Sequence, residues 1–221
     1  MLPDIDCSGN PEISVQLLSE IKLSGVQNVV LTPHFYPQHN NNVEDFLRTR
    51  NKNINVLLKK MQKHQLTDIN LIPAAEVLLC PGLEKMENLK ELCIQDTNVI
   101  LIEMPDLPWS EMLFDSLLRI KNKLGLDIVI AHADRYGKHS AEILVKMGFK
   151  IQVNSDSVVS LPMMFTIQNW AKNGWIYALG SDKHVHSDKK SHVYKEFPKA
   201  SAKLKNYADV INERSLKLIG K

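Results

Sequence analysis

Short apolar runs rich in β-branched residues alternate along this chain with longer amphipathic stretches. Five runs predict buried strands, at residues 26–31, 69–75, 99–102, 128–131 and 176–179, and "KIQVNS" predicts a sixth. Between them, stretches such as "PEISVQLLSEIKLSG" and "SEMLFDSLLRIKNKLG" have the apolar spacing of helices. This alternation indicates an α/β fold.

The strands are apolar on both faces, as the strands of parallel sheets are. A doubly wound sheet and a closed (β/α) barrel both fit, and the polar residues at the strand ends favour the barrel. A chain of 221 residues with 44% hydrophobic content can form one large domain or two small ones. Because no Gly/Ser/Pro-rich linker divides it, we predict a single domain over residues 1–221.

Charge and cysteine content exclude several classes of protein. The net charge is +2, so composition gives no case for nucleic acid or a membrane surface. No apolar run approaches the roughly 20 residues of a membrane span, and the N-terminus does not resemble a signal peptide. Cys7, Cys80 and Cys93 are odd in number and lack CxxC spacing, which is typical of reduced thiols in a cytoplasmic protein.

Metal-ligating side chains stand at or just beyond the ends of five predicted strands. In a barrel these ends meet at one mouth, where barrel enzymes have their active sites. A single histidine after a strand is usually a loop residue, but a carboxylate in an apolar strand is costly to bury unless it is paired or binds metal. Nitrogen and oxygen ligands of this kind suit Zn, Mn or Fe. The candidates are His34, Glu76, Glu103, His132, Asp182 and His184.

Arg135 follows in "HADRY", three residues after His132. A planar guanidinium beside a metal centre suits an anionic substrate, above all a phosphate. Its alternative is an ordinary surface salt bridge.

The segments "TPHFYP", "AAEV", "LIEMP", "AHADRY" and "GSDKH" occur in this order over nearly the whole chain. Together they resemble the signature segments of the polymerase-and-histidinol-phosphatase (PHP) superfamily, and most closely its bacterial capsule-type tyrosine phosphatases. The resemblance implies a distorted TIM-like (β/α)7 barrel with a trinuclear metal cluster, usually of manganese. It implies that Glu76, Glu103 and His132 hold one metal, that His34 and His184 help to hold another, and that Glu76 and Asp182 contribute to a third. Arg135 matches the phosphate-binding arginine of the family.

The N-terminal segment departs from the family pattern. Members of the family have a first strand that ends in a His-x-His pair, followed by a segment like "LPGIDDG", whereas this chain begins "MLPDIDCSG". Asp6 remains as a ligand candidate, Cys7 or a deletion falls at the second aspartate, and Lys189 replaces a second arginine. We therefore expect a missing first strand, two supplied metal sites and a depleted third, with reduced stability or closure through a partner chain.

The resemblance implies metal-dependent hydrolysis of phosphotyrosine on proteins, in the control of capsule or exopolysaccharide synthesis, impaired if the first strand is missing. The implied partner is a bacterial tyrosine kinase of polysaccharide assembly, with no nucleic acid, no membrane insertion and a homo-oligomer as an option. Two alternatives remain open: a histidinol-phosphate or sugar-phosphate phosphatase, and a non-catalytic member of the family. None of the cysteines stands in a CxxxxxR loop, which argues against a thiol-dependent phosphatase.

Overall fold

The computed structural model describes residues 10–40, 42–182 and 193–221. Eight α-helices and eight strands make up this part of the chain. The helices are α1 (Pro11–Leu23), α2 (Val43–Lys63), α3 (Glu111–Leu124), α4 (Gly137–Lys146), α5 (Ser155–Val159), α6 (Leu161–Lys172), α7 (Val193–Leu204) and α8 (Asn206–Leu218). The strands are β1 (Asn28–Leu31), β2 (His34–Phe35), β3 (Asn70–Pro73), β4 (Glu76–Leu78), β5 (Val99–Glu103), β6 (Asp127–Ile130), β7 (Lys150–Asn154) and β8 (Ile176–Gly180).

All strand pairs are parallel. β1 pairs with β3 in a two-stranded sheet, and the other six strands form one sheet in the order β2-β4-β5-β6-β7-β8. Each strand of the larger sheet therefore lies beside the next one along the chain. Because these six strands are all parallel, their carboxyl ends lie on one side of the sheet.

Two predicted strands, at 26–31 and 69–75, are each followed after a two-residue break by a short further strand that was not predicted. β1 and β2 are separated by Thr32 and Pro33, and β3 and β4 by Ala74 and Ala75. Ala74 N–H donates to the Leu31 carbonyl (2.9 Å) and Glu76 N–H donates to the Pro33 carbonyl (3.1 Å), so hydrogen bonding continues across both breaks. The two sheets thus behave as one bent sheet at this point, and the bend directs His34 and Glu76 toward each other.

The helices that the sequence predicts are confirmed, and local sequence explains their ends. Asn10 caps α1 by accepting a hydrogen bond from Glu12 N–H (2.9 Å), and Asn42 caps α2 by accepting one from Asp45 N–H (2.7 Å). Between β4 and β5 the chain forms only two 3₁₀ turns, Leu83–Lys85 and Leu89–Leu92. The main core lies between the six-stranded sheet and helices α3, α4 and α6.

The C-terminal helix packs against the last strand. The Nη1 group of Arg214 in α8 donates to the carbonyls of Gly174 (2.7 Å) and Ile176 (3.2 Å), and Ser215 Oγ donates to the Tyr177 carbonyl (3.0 Å). Leu218 at the end of α8 is buried among side chains of β3, β5 and β6. Helix α8 therefore supplies hydrogen bonds along β8 that a further strand would otherwise provide.

The predicted α/β class with parallel strands is confirmed, whereas the closed barrel is not. Within the described residues neither sheet closes on itself, and β2 and β8 are the two edges of the larger one. The side chains of α8 occupy part of the β8 edge, which is a physical reason for the open arrangement. None of the described helices combines the length and the apolar character that a bilayer span requires.

Candidate metal centre

His34, Glu76 and Glu103 come together from three neighbouring strands of the larger sheet. His34 begins β2 and lies opposite Glu76 at the start of β4, while Glu103 ends β5 opposite Leu78. One ligand atom from each of the three lies within 4.8 Å of the others. The parallel register of the strands, rather than any local motif, creates this group.

His132 completes the cluster from the next strand. Its Nε2 lies 3.0 Å from Glu76 Oε1 and 3.5 Å from Glu103 Oε1, and only 3% of its side chain is exposed. Burial opposes the charged form of the imidazole, but hydrogen bonds to Glu103 and Glu76 outweigh burial and raise the pKa of His132 to about 9. Without metal, the protonated ring therefore bridges the two carboxylates.

The backbone of His132 is held in the left-handed region by the neighbouring strand. Its φ is 31° and its N–H donates to Gln152 Oε1 in β7 (2.6 Å). Gln152 is fixed in turn, because its Nε2 donates to Asn154 Oδ1 (3.0 Å). Gly180 in β8 leaves the room for this amide, since a Cβ at that position would lie 2.3 Å from Gln152 Nε2.

Tyr136 contacts the other side of the His132 ring. Its Oη lies 3.1 Å from His132 Nδ1 and accepts a hydrogen bond from Met104 N–H (2.9 Å). Burial raises the pKa of Tyr136 far above its usual value, so the hydroxyl stays protonated. When Nδ1 carries the proton and donates to Tyr136, the lone pair of Nε2 points toward Glu76 and Glu103, as a metal ligand requires.

The donor set fits a divalent cation. Glu103 Oε2 is buried and has no hydrogen-bond partner among the residues that the structure describes. A buried carboxylate oxygen without a donor is costly, and a cation beside it would remove that cost. Two imidazoles with two carboxylates form an N/O set that suits Zn, Mn or Fe.

Arg135 and Asp182 lie together at the rim of the cluster. An Nη2 hydrogen of Arg135 is donated to Asp182 Oδ2, and about half of the Arg135 side chain (52%) is exposed. The sequence predicted a metal ligand at Asp182 and a phosphate ligand at Arg135, but it did not predict this contact between them. A guanidinium that is half exposed and bound to one carboxylate remains accessible to an incoming anion.

Three of the predicted site residues, Asp6, His184 and Lys189, lie outside the described residues. Among the described cysteines, Cys93 is buried, and burial raises the pKa of its thiol to about 11. Burial also raises the pKa of the Cys80 thiol. These two thiols are therefore poor nucleophiles, in agreement with the sequence-based argument against thiol chemistry.

Several residues of the site were not predicted. Gln152 and Asn154 are polar side chains in the otherwise apolar run "KIQVN", so their pattern could have indicated them. Asp134, which accepts from Asn154 N–H (2.9 Å) and Ser157 Oγ (2.7 Å), and Tyr136 had no such signal. Their roles depend on contacts that the sequence does not reveal.

Comparison with known proteins places this geometry in a family. The family model for capsular polysaccharide synthesis proteins of the CpsB/CapC type matches residues 1–212, so the chain belongs to that family. One similar solved chain comes from the crystal structures of YwqE from Bacillus subtilis and CpsB from Streptococcus pneumoniae, described as unique metal-dependent tyrosine phosphatases. The match has a TM-score of 0.76 at 21% sequence identity and covers 99% of this chain and 91% of that chain. It establishes a shared fold.

Proposed function

We propose that this member of the CpsB/CapC family is a metal-dependent protein-tyrosine phosphatase that acts in the regulation of capsule or exopolysaccharide synthesis. The observation that carries the proposal is the His34–Glu76–Glu103 group, whose ligand atoms lie within 4.8 Å of one another. The family and the fold shared with metal-dependent tyrosine phosphatases support it.

The metal ligands in this proposal are His34, Glu76, Glu103 and His132, with Mn²⁺ as the preferred ion and Zn²⁺ or Fe as alternatives. Asp6, Asp182 and His184 are proposed as further ligands, for two or three ions in all. When bound, the ions neutralise phosphate charge and lower the pKa of a coordinated water molecule.

Arg135 binds the phosphate in this proposal. Its guanidinium already donates to a carboxylate oxygen of Asp182, and a phosphate oxygen can accept the same kind of hydrogen bond. Exchange of Asp182 for phosphate would place the positive charge where charge develops during transfer. Lys189 is proposed as a second cationic contact. The phenolate leaving group has a pKa of about 10, so it needs little help from a general acid.

Tyr136 and Gln152 position the His132 ring in this proposal. The tyrosine hydroxyl oxygen accepts a hydrogen bond from Nδ1–H, and Gln152 Oε1 accepts one from the backbone N–H. Neither residue contacts the reacting phosphate.

We propose a bacterial tyrosine kinase of polysaccharide assembly as the protein substrate and the cytoplasm as the compartment, with self-association as an option. A single domain over residues 1–221, built as a distorted TIM-like (β/α)7 barrel that lacks its first strand, remains our prediction for the chain.

The test is hydrolysis of a phosphotyrosyl peptide by the 221-residue chain with added Mn²⁺. We expect activity that Glu76→Gln abolishes and that Glu213→Gln, an exposed control on α8, leaves intact. Absence of activity in protein shown to be folded would refute catalysis by this form and support a non-catalytic role. Preference for histidinol phosphate or a sugar phosphate in the same assay would instead support a small-molecule phosphatase.

A further inference from the structure

A groove of about 780 Å³ runs between α6 and α7. Met164 and Phe165 of α6 form its apolar wall, and Lys199 and Lys203 of α7 form its basic wall together with Lys205. The Gln168 amide donates to the Lys203 carbonyl (3.2 Å) and ties the two helices together. The groove is therefore built by two connected helices, and its two walls differ in chemistry.

The basic wall has no acidic counterpart. Lys199, Lys203 and Lys205 are exposed, and none has a carboxylate within ion-pairing distance in the part of the chain that the structure describes. The described lining of the groove contains no Asp or Glu. Three like charges in one concave surface attract a ligand that carries several negative charges.

The apolar wall is unusually exposed. Phe165 is 73% exposed, and Leu161, one helical turn earlier on α6, is 77% exposed. Residues four apart share one face of a helix, so these two side chains form one apolar surface. Adjacent exposed apolar side chains beside charged residues are typical of surfaces that bind another protein.

Helix α5 connects this groove to the metal centre. Asn154, at the end of β7, contacts Gln152 behind His132, and α5 begins at the next residue. The last residue of α5, Val159, lines the groove. This five-residue helix spans about 8 Å, so Val159 lies one short helix away from Asn154.

We propose that the α6–α7 groove binds an acidic, apolar-containing segment of the phosphoprotein substrate, a few residues away from its phosphotyrosine. The lysines attract the acidic residues, and Phe165 packs against an apolar side chain of the same segment. A concave surface between two helices admits a peptide chain but not the flat surface of a bilayer, which favours a peptide over an anionic membrane. This inference rests on the proposed phosphatase function.

The groove acts through substrate binding and not through the chemical step. Contacts distant from the phosphate that are equally strong in the ground state and the transition state lower KM without raising kcat. A small substrate does not reach the groove. The proposal therefore predicts a difference between peptide and small-molecule kinetics.

The experiment compares three substrates with Mn²⁺ present. They are a phosphotyrosyl peptide with an acidic, leucine-containing flank, the same peptide with a Gly/Ser flank, and p-nitrophenyl phosphate. We expect a double variant, Lys199→Glu with Lys203→Glu, to raise KM for the acidic peptide about tenfold, equal to about 1.4 kcal/mol. The kcat for that peptide and the kinetics of the other two substrates should stay unchanged. Phe165→Ala should raise the same KM, and Lys59→Glu, an exposed lysine on α2, should not.

Equal KM values for the two peptides with the wild-type protein would overturn the proposal. An equal effect of the double variant on p-nitrophenyl phosphate would also overturn it. So would a double variant that no longer binds phosphatidylserine vesicles but keeps the wild-type KM for the acidic peptide, because the groove would then bind a membrane. If no substrate is hydrolysed, the proposed function fails, and fluorescence anisotropy with the dephosphorylated acidic peptide then tests the groove alone. Binding that the double variant abolishes would support the groove, and absence of binding would refute it.

Discussion

Tyr136→Phe removes one oxygen atom beside the metal centre and keeps the ring. The Tyr136 ring packs at 5.3 Å from the Trp109 ring, a contact that phenylalanine preserves. The hydroxyl, by contrast, is the shared partner of Met104 N–H and His132 Nδ1. The substitution therefore separates the hydrogen bonds of this residue from its packing.

Two magnitudes follow from these contacts. Met104 is 1% exposed, so water cannot replace the hydroxyl as the acceptor for its N–H. Tyr136→Phe leaves that buried N–H unpaired, which should lower the unfolding free energy by about 1–3 kcal/mol. His132 loses the acceptor that orients its ring and favours the proton on Nδ1. Loss of such a partner typically weakens metal binding about 10–100-fold.

Two measurements separate these effects. Urea unfolding in the presence of a chelator gives the stability of the metal-free protein, and calorimetric titration with Mn²⁺ gives the metal affinity. Tyr207→Phe, at an exposed tyrosine on α8, is the matched control and should change neither quantity. If Tyr136→Phe lowers stability but leaves the Mn²⁺ affinity unchanged, the hydroxyl has only a structural role and our account of the His132 ring is refuted.

Three further predictions concern Gly180, Arg214 and His132. Gly180→Ala should displace the Gln152 amide that holds the His132 backbone, because the new Cβ would lie 2.3 Å from Gln152 Nε2, and calorimetry should show weaker Mn²⁺ binding with the helical content preserved. Arg214→Ala should lower the unfolding free energy by about 2–3 kcal/mol in urea titrations, because one carbonyl before β8 and one within it lose a charged donor; a change below about 0.5 kcal/mol would show that water replaces the guanidinium without loss. The pKa of His132 is raised from 6.5 to about 9 in the folded, metal-free protein, so its stabilising contribution is complete below pH 6.5 and is lost as the pH rises through about 9. The unfolding free energy of the chelator-treated protein should fall by on the order of 3 kcal/mol between these pH values, at about 1.4 kcal/mol per pH unit. The unfolding free energy of His132→Gln should not change with pH in this range.

The predictable part of the fold depends on burial patterns that are local in sequence. Strands covered on both faces are continuous apolar runs, and all six predicted strand regions contain strands. The same reasoning identified Glu76 and Glu103, since carboxylates are conspicuous in such runs. The structure brings both of them together with His34 and His132, as convergence of strand ends predicts.

Features that depend on long-range contacts were not predictable. The break between β3 and β4 is stabilised by Arg50, which is buried on α2 and donates from Nη1 to the Ala74 carbonyl (2.9 Å) across 24 positions. The contact of Arg214 with the carbonyls before and within β8 also joins distant segments. Neither arginine stands in a pattern that differs from that of a surface residue.

His132 has a strained backbone conformation and lies in the candidate metal centre. A non-glycine residue with φ of 31° and ψ of 50° occupies a region that costs roughly 1 kcal/mol, and burial of an imidazole adds to that cost. Three contacts from three different elements compensate: Gln152 holds the backbone N–H, Tyr136 contacts Nδ1, and Glu76 contacts Nε2. Any one of these contacts would satisfy a hydrogen bond, but only all three together determine both the position and the orientation of the ring. Such complete constraint has little value for core packing and great value for a metal ligand, because coordination requires a defined direction of the nitrogen lone pair. This constraint is what our proposal of His132 as a metal ligand requires, and substitutions of Tyr136 and Gln152 test that proposal most directly.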